Sequence, residues 1–168
     1  GTNWWLSRTI SNEARLLRVS AAGARLDALG GVALPIVVTG SVNSLYDNLL
    51  APRAGGGVLY GWTDLRQANG NDQNAFVMPV SASNAGGQER CVSTSTRNQR
   101  SSELAEGPGG SFAAAFVSEA ANDDRLLIQL FDPAGNPGNA IEAAQAPTIG
   151  VCGIAWNGSK YLVTWDQG

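Results

Sequence analysis

A glycine-bearing turn followed at once by a short apolar strand recurs along this chain, and that recurrence restricts the fold more than any other feature. Near the C-terminus, Ile154-Ala155-Trp156, the pair Asn157-Gly158 and Tyr161-Leu162-Val163-Thr164-Trp165 read as strand, tight turn and strand. Asn-Gly suits a type I′ hairpin, because both of its central residues need positive φ. The same grammar stands upstream, where Gly55-Gly56-Gly57 precedes Val58-Leu59-Tyr60-Gly61-Trp62 and Pro108-Gly109-Gly110 precedes Phe112-Ala113-Ala114-Ala115-Phe116. With Gly1, Gly55, Gly109 and Gly158 as equivalents, the spacings are 54, 54 and 49 residues, and Trp4-Trp5-Leu6 becomes the first copy of the strand. A fixed period of this length marks a repeat architecture.

The second half of each unit repeats as well. Leu16-Leu17-Arg18-Val19-Ser20, Phe76-Val77-Met78-Pro79-Val80 and Leu126-Leu127-Ile128-Gln129-Leu130-Phe131 each run into a turn bearing Gly or Asn. A fourth strand follows at Leu34-Pro35-Ile36-Val37-Val38 and at Cys91 to Thr96. Four short strands in about 50 residues is the size of one propeller blade. The post-turn strands are nearly continuous in apolar residues, as strands buried on both faces are. The expected fold is therefore all-β and β-propeller-like, with about three four-stranded blades plus one extra strand, as part of a larger ring. Residues 1–168 form one repeat region, with units at 1–54, 55–108 and 109–157, and 158–168 starting a further unit. At least twelve short strands, under about 10% helix and a hairpin pairing Trp156 with Tyr161 are expected. Leu17, Leu127, Ile128, Leu162 and Val163 are expected in the core.

Asn157-Gly158-Ser159-Lys160-Tyr161-Leu162-Val163-Thr164-Trp165 resembles the blades of secreted bacterial β-propeller repeat proteins. In the earlier copies Arg8 or Ser7, Trp62 and Phe116 take the place of Trp165. The resemblance implies a blade architecture and an extracellular, cell-surface or periplasmic setting. Families on this fold range from adhesins and lectins to scaffolds and enzymes, so the resemblance selects no function. Three repeat lengths and one surplus strand would leave blade faces uncovered, so another chain or the rest of a longer polypeptide is expected to complete the ring.

Charge and composition narrow the chemistry. The net charge of −3 comes with scattered arginines rather than a basic stripe, which excludes nucleic acid as a partner. No apolar run approaches the roughly 20 residues of a membrane-spanning helix. With 0 histidines the chain lacks Ser-His-Asp and Cys-His catalysis, histidine-ligated zinc and histidine pH switches.

Four groups of residues are candidates for function. Cys91 and Cys152 could form one disulfide, enclosing a loop of about 60 residues and worth about 4 kcal/mol in the chain-entropy model. The loops after the post-turn strands carry oxygen-rich side chains: Ser11, Asn12 and Glu13; Asp64, Asn69, Asn71 and Asp72; Glu119, Asn122, Asp123 and Asp124. Equivalent loops share one rim, so these groups suit Ca²⁺ or sugar hydroxyls, although solvated hairpin loops need polar residues in any case. Asp64, Glu119, Asp123 and Asp124 are the carboxylates to examine for histidine-free glycoside cleavage. Among the tryptophans, Trp156 beside the turn is the candidate for stacking on a ligand, while the rest read as inter-blade packing. No cofactor is required by the sequence. The leading function is a non-catalytic binding or scaffold module of a secreted or cell-surface protein, with a glycan or protein as ligand. The alternative is a carboxylate-based glycoside hydrolase or lyase whose remaining site residues lie outside this chain.

Overall fold

The computed structural model describes residues 3–10, 13–36, 46–65, 73–93 and 97–168. They form four antiparallel sheets, each laid out in chain order. The first holds β1 (Trp4–Ile10), β2 (Glu13–Val19) and β3 (Val32–Ala33). The second holds β4 (Tyr46–Pro52), β5 (Val58–Asp64), β6 (Asn74–Val80) and β7 (Arg90–Cys91). The third holds β8 (Gln99–Glu106), β9 (Phe112–Ser118), β10 (Asp124–Phe131) and β11 (Pro137–Ala146), and the fourth pairs β12 (Ile149–Trp156) with β13 (Tyr161–Gln167). One 3-10 turn, Pro108–Gly110, precedes β9, and the described residues contain no α-helix. The all-β expectation and the strand count both hold.

The sheets are stacked face to face, and alternation along the central strands explains how. In β5, Val58, Tyr60 and Trp62 point to one side and pack with Ala14, Leu16 and Leu34 of the first sheet. Leu59 points to the other side and packs with Phe112, Ala114 and Phe116 of β9. On the opposite face of β9, Ala115 and Val117 meet Ile149 and Cys152 of the fourth sheet. Consequently every residue of β5 and of β9 is buried. The apolar runs in the sequence are the mark of this double-sided burial. Close stacking also fixes Gly61, where a Cβ would sit 2.9 Å from Leu104 Cδ1 of the next sheet.

The sheets converge on their first strands. β8 lies against both β4 and β12, whereas the last strands β3, β7 and β11 make no comparable contact with one another. The stack therefore fans outward from an inner edge built of β4, β8 and β12. Those inner strands are where the sequence reading falls short. β4 and β8 were invisible as strands because YDNLLAP and QRSSELAE carry no apolar run. Each belongs to the sheet that follows it, so a sheet begins before its turn and is out of phase with the 1–54, 55–108 and 109–157 units. The expected fourth strands at Leu34 and Cys91 are only two residues long, Val32–Ala33 and Arg90–Cys91. Residues 37, 38 and 94–96 lie outside the described residues.

Two further expectations are corrected. Trp156 does pair with Tyr161, but the turn is not type I′. Only Gly158 has positive φ there, and Asn157 Oδ1 instead accepts the Ser159 and Lys160 amides at 3.0 and 2.8 Å. A side-chain-capped turn of four residues has replaced the two-residue one. Leu162 is 53% exposed rather than buried, because its face of the fourth sheet has no neighbour, and Leu17, Leu127, Ile128 and Val163 are half-buried. Trp62→Ala should cost about 3 to 5 kcal/mol through the cavity left between two sheets. Leu162→Ala on the isolated chain should cost about 0.5 kcal/mol or less. Urea unfolding of both variants, followed by tryptophan fluorescence, measures the contrast.

Candidate functional site

The two ends of the strands carry different chemistry. At the end where β9 passes into β10, Glu119, Asp123 and Asp124 are gathered together with three arginines. Arg97 reaches Asp123 Oδ2 at 2.7 Å and donates to its carbonyl at 3.0 Å. Arg100, from β8, bonds Glu119, lies 3.3 Å from Asp124 Oδ2, and donates to the Ile149 and Gly150 carbonyls at 2.6 and 2.9 Å. Arg125 spans Asp123 at 3.5 Å and Glu142 at 3.2 Å. The Arg97 guanidinium, joined by Gln145 and Arg125, holds the Asp123 carboxyl below its ordinary range. Arg97, Arg100, Glu119 and Asp124, with Asn122, line a cleft of about 530 Å³ that also meets Pro147 and Thr148 ahead of the fourth sheet.

Asp124 is a tie between sheets as well. Its Oδ2 accepts the Ile149 amide at 3.0 Å, which joins β10 to the first residue of the next inner strand. Gln99 does the equivalent work one sheet earlier, where its Oε1 accepts the Ala75 amide at 2.9 Å. Asp64 is buried and accepts the Trp62 indole N–H at 2.8 Å. Asn122 is exposed and takes positive φ at the tip of its turn. So the structure brings Glu119, Asp123 and Asp124 together, with Asn122 on the same cleft beside Glu119 and Asp124, and leaves Asp64 elsewhere. Asn69, Asn71 and Asp72, with Ser11 and Asn12, lie outside the described residues. Among the described residues no three Asp, Glu, Cys or His side chains converge to hold a metal ion.

The opposite, turn-bearing end is apolar. Trp156 and Tyr161 flank the last turn with ring centroids 4.9 Å apart, tilted by 58°. Beside them the stacked pair Phe112 and Phe131, 4.6 Å apart, closes the floor of a groove of about 500 Å³ between the third and fourth sheets. Its polar rim is one compact unit, Asp132 and Asn136. Asp132 accepts the Asn136 amide through Oδ1 and its side-chain N–H through Oδ2, both at 2.8 Å. These hydrogen bonds hold the Asp132 carboxyl below its usual range. Gly107 lets Tyr161 seat here, since a Cβ at that position would fall 2.0 Å from the phenol oxygen. Asp132 and Asn136 were not picked out from the sequence, although the D-P-A-G-N pattern spells their turn.

Trp4 and Trp165, 67% and 42% exposed, are the more open tryptophans, and Trp156 is half-buried. Trp62 and Trp5 fill the core as expected. A third polar contact ties the first two sheets near their turns. Arg18 and Asp27 pair at 2.6 Å, Arg18 donates to the Ala82 carbonyl, and Asn84 donates to both Asp27 and the Leu16 carbonyl.

Cys91 and Cys152 are thiols and not a disulfide. They sit on β7, the outer strand of the second sheet, and on β12, the inner strand of the fourth, with the third sheet between. Burial, with a smaller contribution from Glu103, pushes the Cys152 thiol up to about 12.

Compared with protein-family models and with curated proteins, the chain matches none.

Two measurements follow from these geometries. The denatured, unreduced protein should take up iodoacetamide at both cysteines by intact mass, whereas native Cys152 should stay unmodified at pH 8, where it holds its proton. Loss of both sites from the denatured sample would restore the disulfide. Asp27 is held below the ordinary carboxylate range by Arg18 above all, so its stabilisation is full above about pH 4 and is lost as pH falls through the lower folded value. Asp27→Asn should therefore flatten the fall in urea midpoint between pH 5 and pH 2.

Proposed function

We propose that the four sheets are blades of a β-propeller and that the chain is a non-catalytic binding or scaffold module of an exported protein, cell-surface or periplasmic. The observation that carries this reading is the equivalence of exposed and buried positions. β1, β5, β9 and β13 are each seven residues long; β5, β9 and β13 each pair with the strand before them, and β1, β5 and β9 each with the strand after. Trp4 and Leu6, 67% and 54% exposed, stand where β5 has buried Val58 and Tyr60 and β9 has buried Phe112 and Ala114. Leu162, 53% exposed, stands where β5 has Leu59 and β9 has Ala113. The two open faces are thus the two sides of the same interface that repeats inside the stack. A further sheet of the same kind covers each, supplied by another chain or by more of the same polypeptide, and the ring closes. Apolar faces of this kind are rarely left to water.

Support for a non-catalytic role comes from the carboxylates. A glycosidase acid needs a raised pKa and a free proton. Asp123 is instead held below its ordinary range by Arg97, and Glu119 and Asp124 are both ion-paired to Arg100. The exported setting is supported by the resemblance of the last blade to secreted repeat proteins.

Light scattering with hydrogen exchange tests the ring. The isolated chain should associate and protect β1 and β13 only in the associated form. A stable monomer that protects both strands would refute the open-face reading. Turnover of a glycoside, abolished by Asp123→Asn with the fold intact, would replace the binding module with an enzyme.

A further inference from the structure

The groove beside Trp156 is not isolated. Trp156 also lines a second compartment of about 490 Å³ on the inner edge, where Arg53 and Glu106 form its far wall. Arg53 and Glu106 in turn border a third, of about 430 Å³, between the second and third sheets. The three compartments therefore lie in a row across the turn-bearing end as a segmented trough, with Trp156 as the wall shared by the first two and Arg53 with Glu106 as the wall shared by the second and third. All of it is built by sheets already stacked here, so covering the open faces is not needed to form it.

The lining decides the class of ligand. Compartments of this size, mostly apolar with a few fixed polar groups, are what small-ligand sites look like. Trp156 offers an aromatic face at the junction, and Asp132 with Asn136 offers acceptors and donors locked to each other by two hydrogen bonds. The charged groups that line it are engaged: Arg53 pairs with Glu106 at 3.3 Å and donates to the Gly110 carbonyl at 3.0 Å, Glu106 also accepts the Ala54 amide, and both oxygens of Asp132 are bonded by Asn136. A sugar ring has an apolar C–H face for the indole and equatorial hydroxyls for a carboxylate and an amide, without net charge. Joined rings would follow the compartments.

We propose that this trough binds a neutral oligosaccharide, with one ring stacked on Trp156 and its hydroxyls bonded by Asp132 and Asn136. The inference rests on the reading of the chain as a binding module and gives that module its ligand class. The Asp132 carboxylate accepts hydrogen bonds from hydroxyls with no proton transferred, and the stacked Phe112–Phe131 pair lies beneath.

Calorimetry and tryptophan fluorescence on the intact chain test it, with short neutral oligosaccharides of glucose, mannose and N-acetylglucosamine as probes and a proline-rich peptide as comparator. Saturable binding of at least one oligosaccharide is expected, with the monosaccharide weaker. Trp156→Ala should weaken it by about tenfold, or about 1.4 kcal/mol, and Trp156→Phe by less, since Phe keeps an aromatic face. Asn136→Ala, which leaves the core untouched, should weaken it several-fold and serves if Trp156→Ala fails to fold. No saturable binding, binding unchanged by both Trp156→Phe and Asn136→Ala, or preference for the peptide over every sugar would overturn the proposal. The light-scattering result bears on ring closure alone, so the two readings fail separately.

Discussion

Two-sided burial of the central strands is the constraint on which the rest of this structure depends. β5 and β9 are apolar along nearly their whole length because each serves two neighbours, and a polar side chain in either would leave water without finding a partner. The polar residues that do enter are confined to the ends and are bonded, as Asp64 is to the Trp62 indole. Chemistry is thereby driven out of the sheets and onto the two ends of the stack. Both candidate regions lie there, one polar and one aromatic.

The polar end is better understood as a fastening than as a site. Gln99 and Asp124 each offer a side-chain oxygen to the amide of a neighbouring sheet, at 2.9 and 3.0 Å. Arg100 adds carbonyl contacts to β12 while it neutralises Glu119 and Asp124. Hydrogen bonds of this charge-assisted kind are directional where apolar packing is not, so they set how far one sheet slides on the next. The cost of burying Asp124 is offset by the bonds it makes. At the aromatic end the groove beside Trp156 is rimmed by the Asp132 and Asn136 pair over a floor of aromatic rings, which is why the two ends differ in what they can recognise.

The all-β fold, the central strands and the turn after Trp156 were legible from residue pattern, since double-sided burial writes a continuous apolar run into the chain. The inner strands β4 and β8 were not. They are half-polar, they bulge between Tyr46 and Leu49 and between Arg100 and Glu103, and no period of two survives. Grouping of the acidic loop residues was half legible: Glu119, Asp123 and Asp124 do meet, but Arg100, which joins Glu119 to Asp124, comes from a strand that the pattern hid. The aromatic groove escaped for a similar reason. Trp156 was singled out, yet Phe112 and Asp132 lie far from it in sequence and reach it only through the stacking of sheets.

The offset between sheet and turn bears on what holds a sheet together. From Gly57 to Pro108 the chain carries three strands of one sheet, β5, β6 and β7, and the inner strand of the next, β8. The hairpin arms on either side of a glycine turn, β4 with β5 and β8 with β9, are joined by backbone hydrogen bonds as well as by the turn itself. A cut at such a turn severs the covalent link inside a sheet while the paired strands on either side continue to hold it.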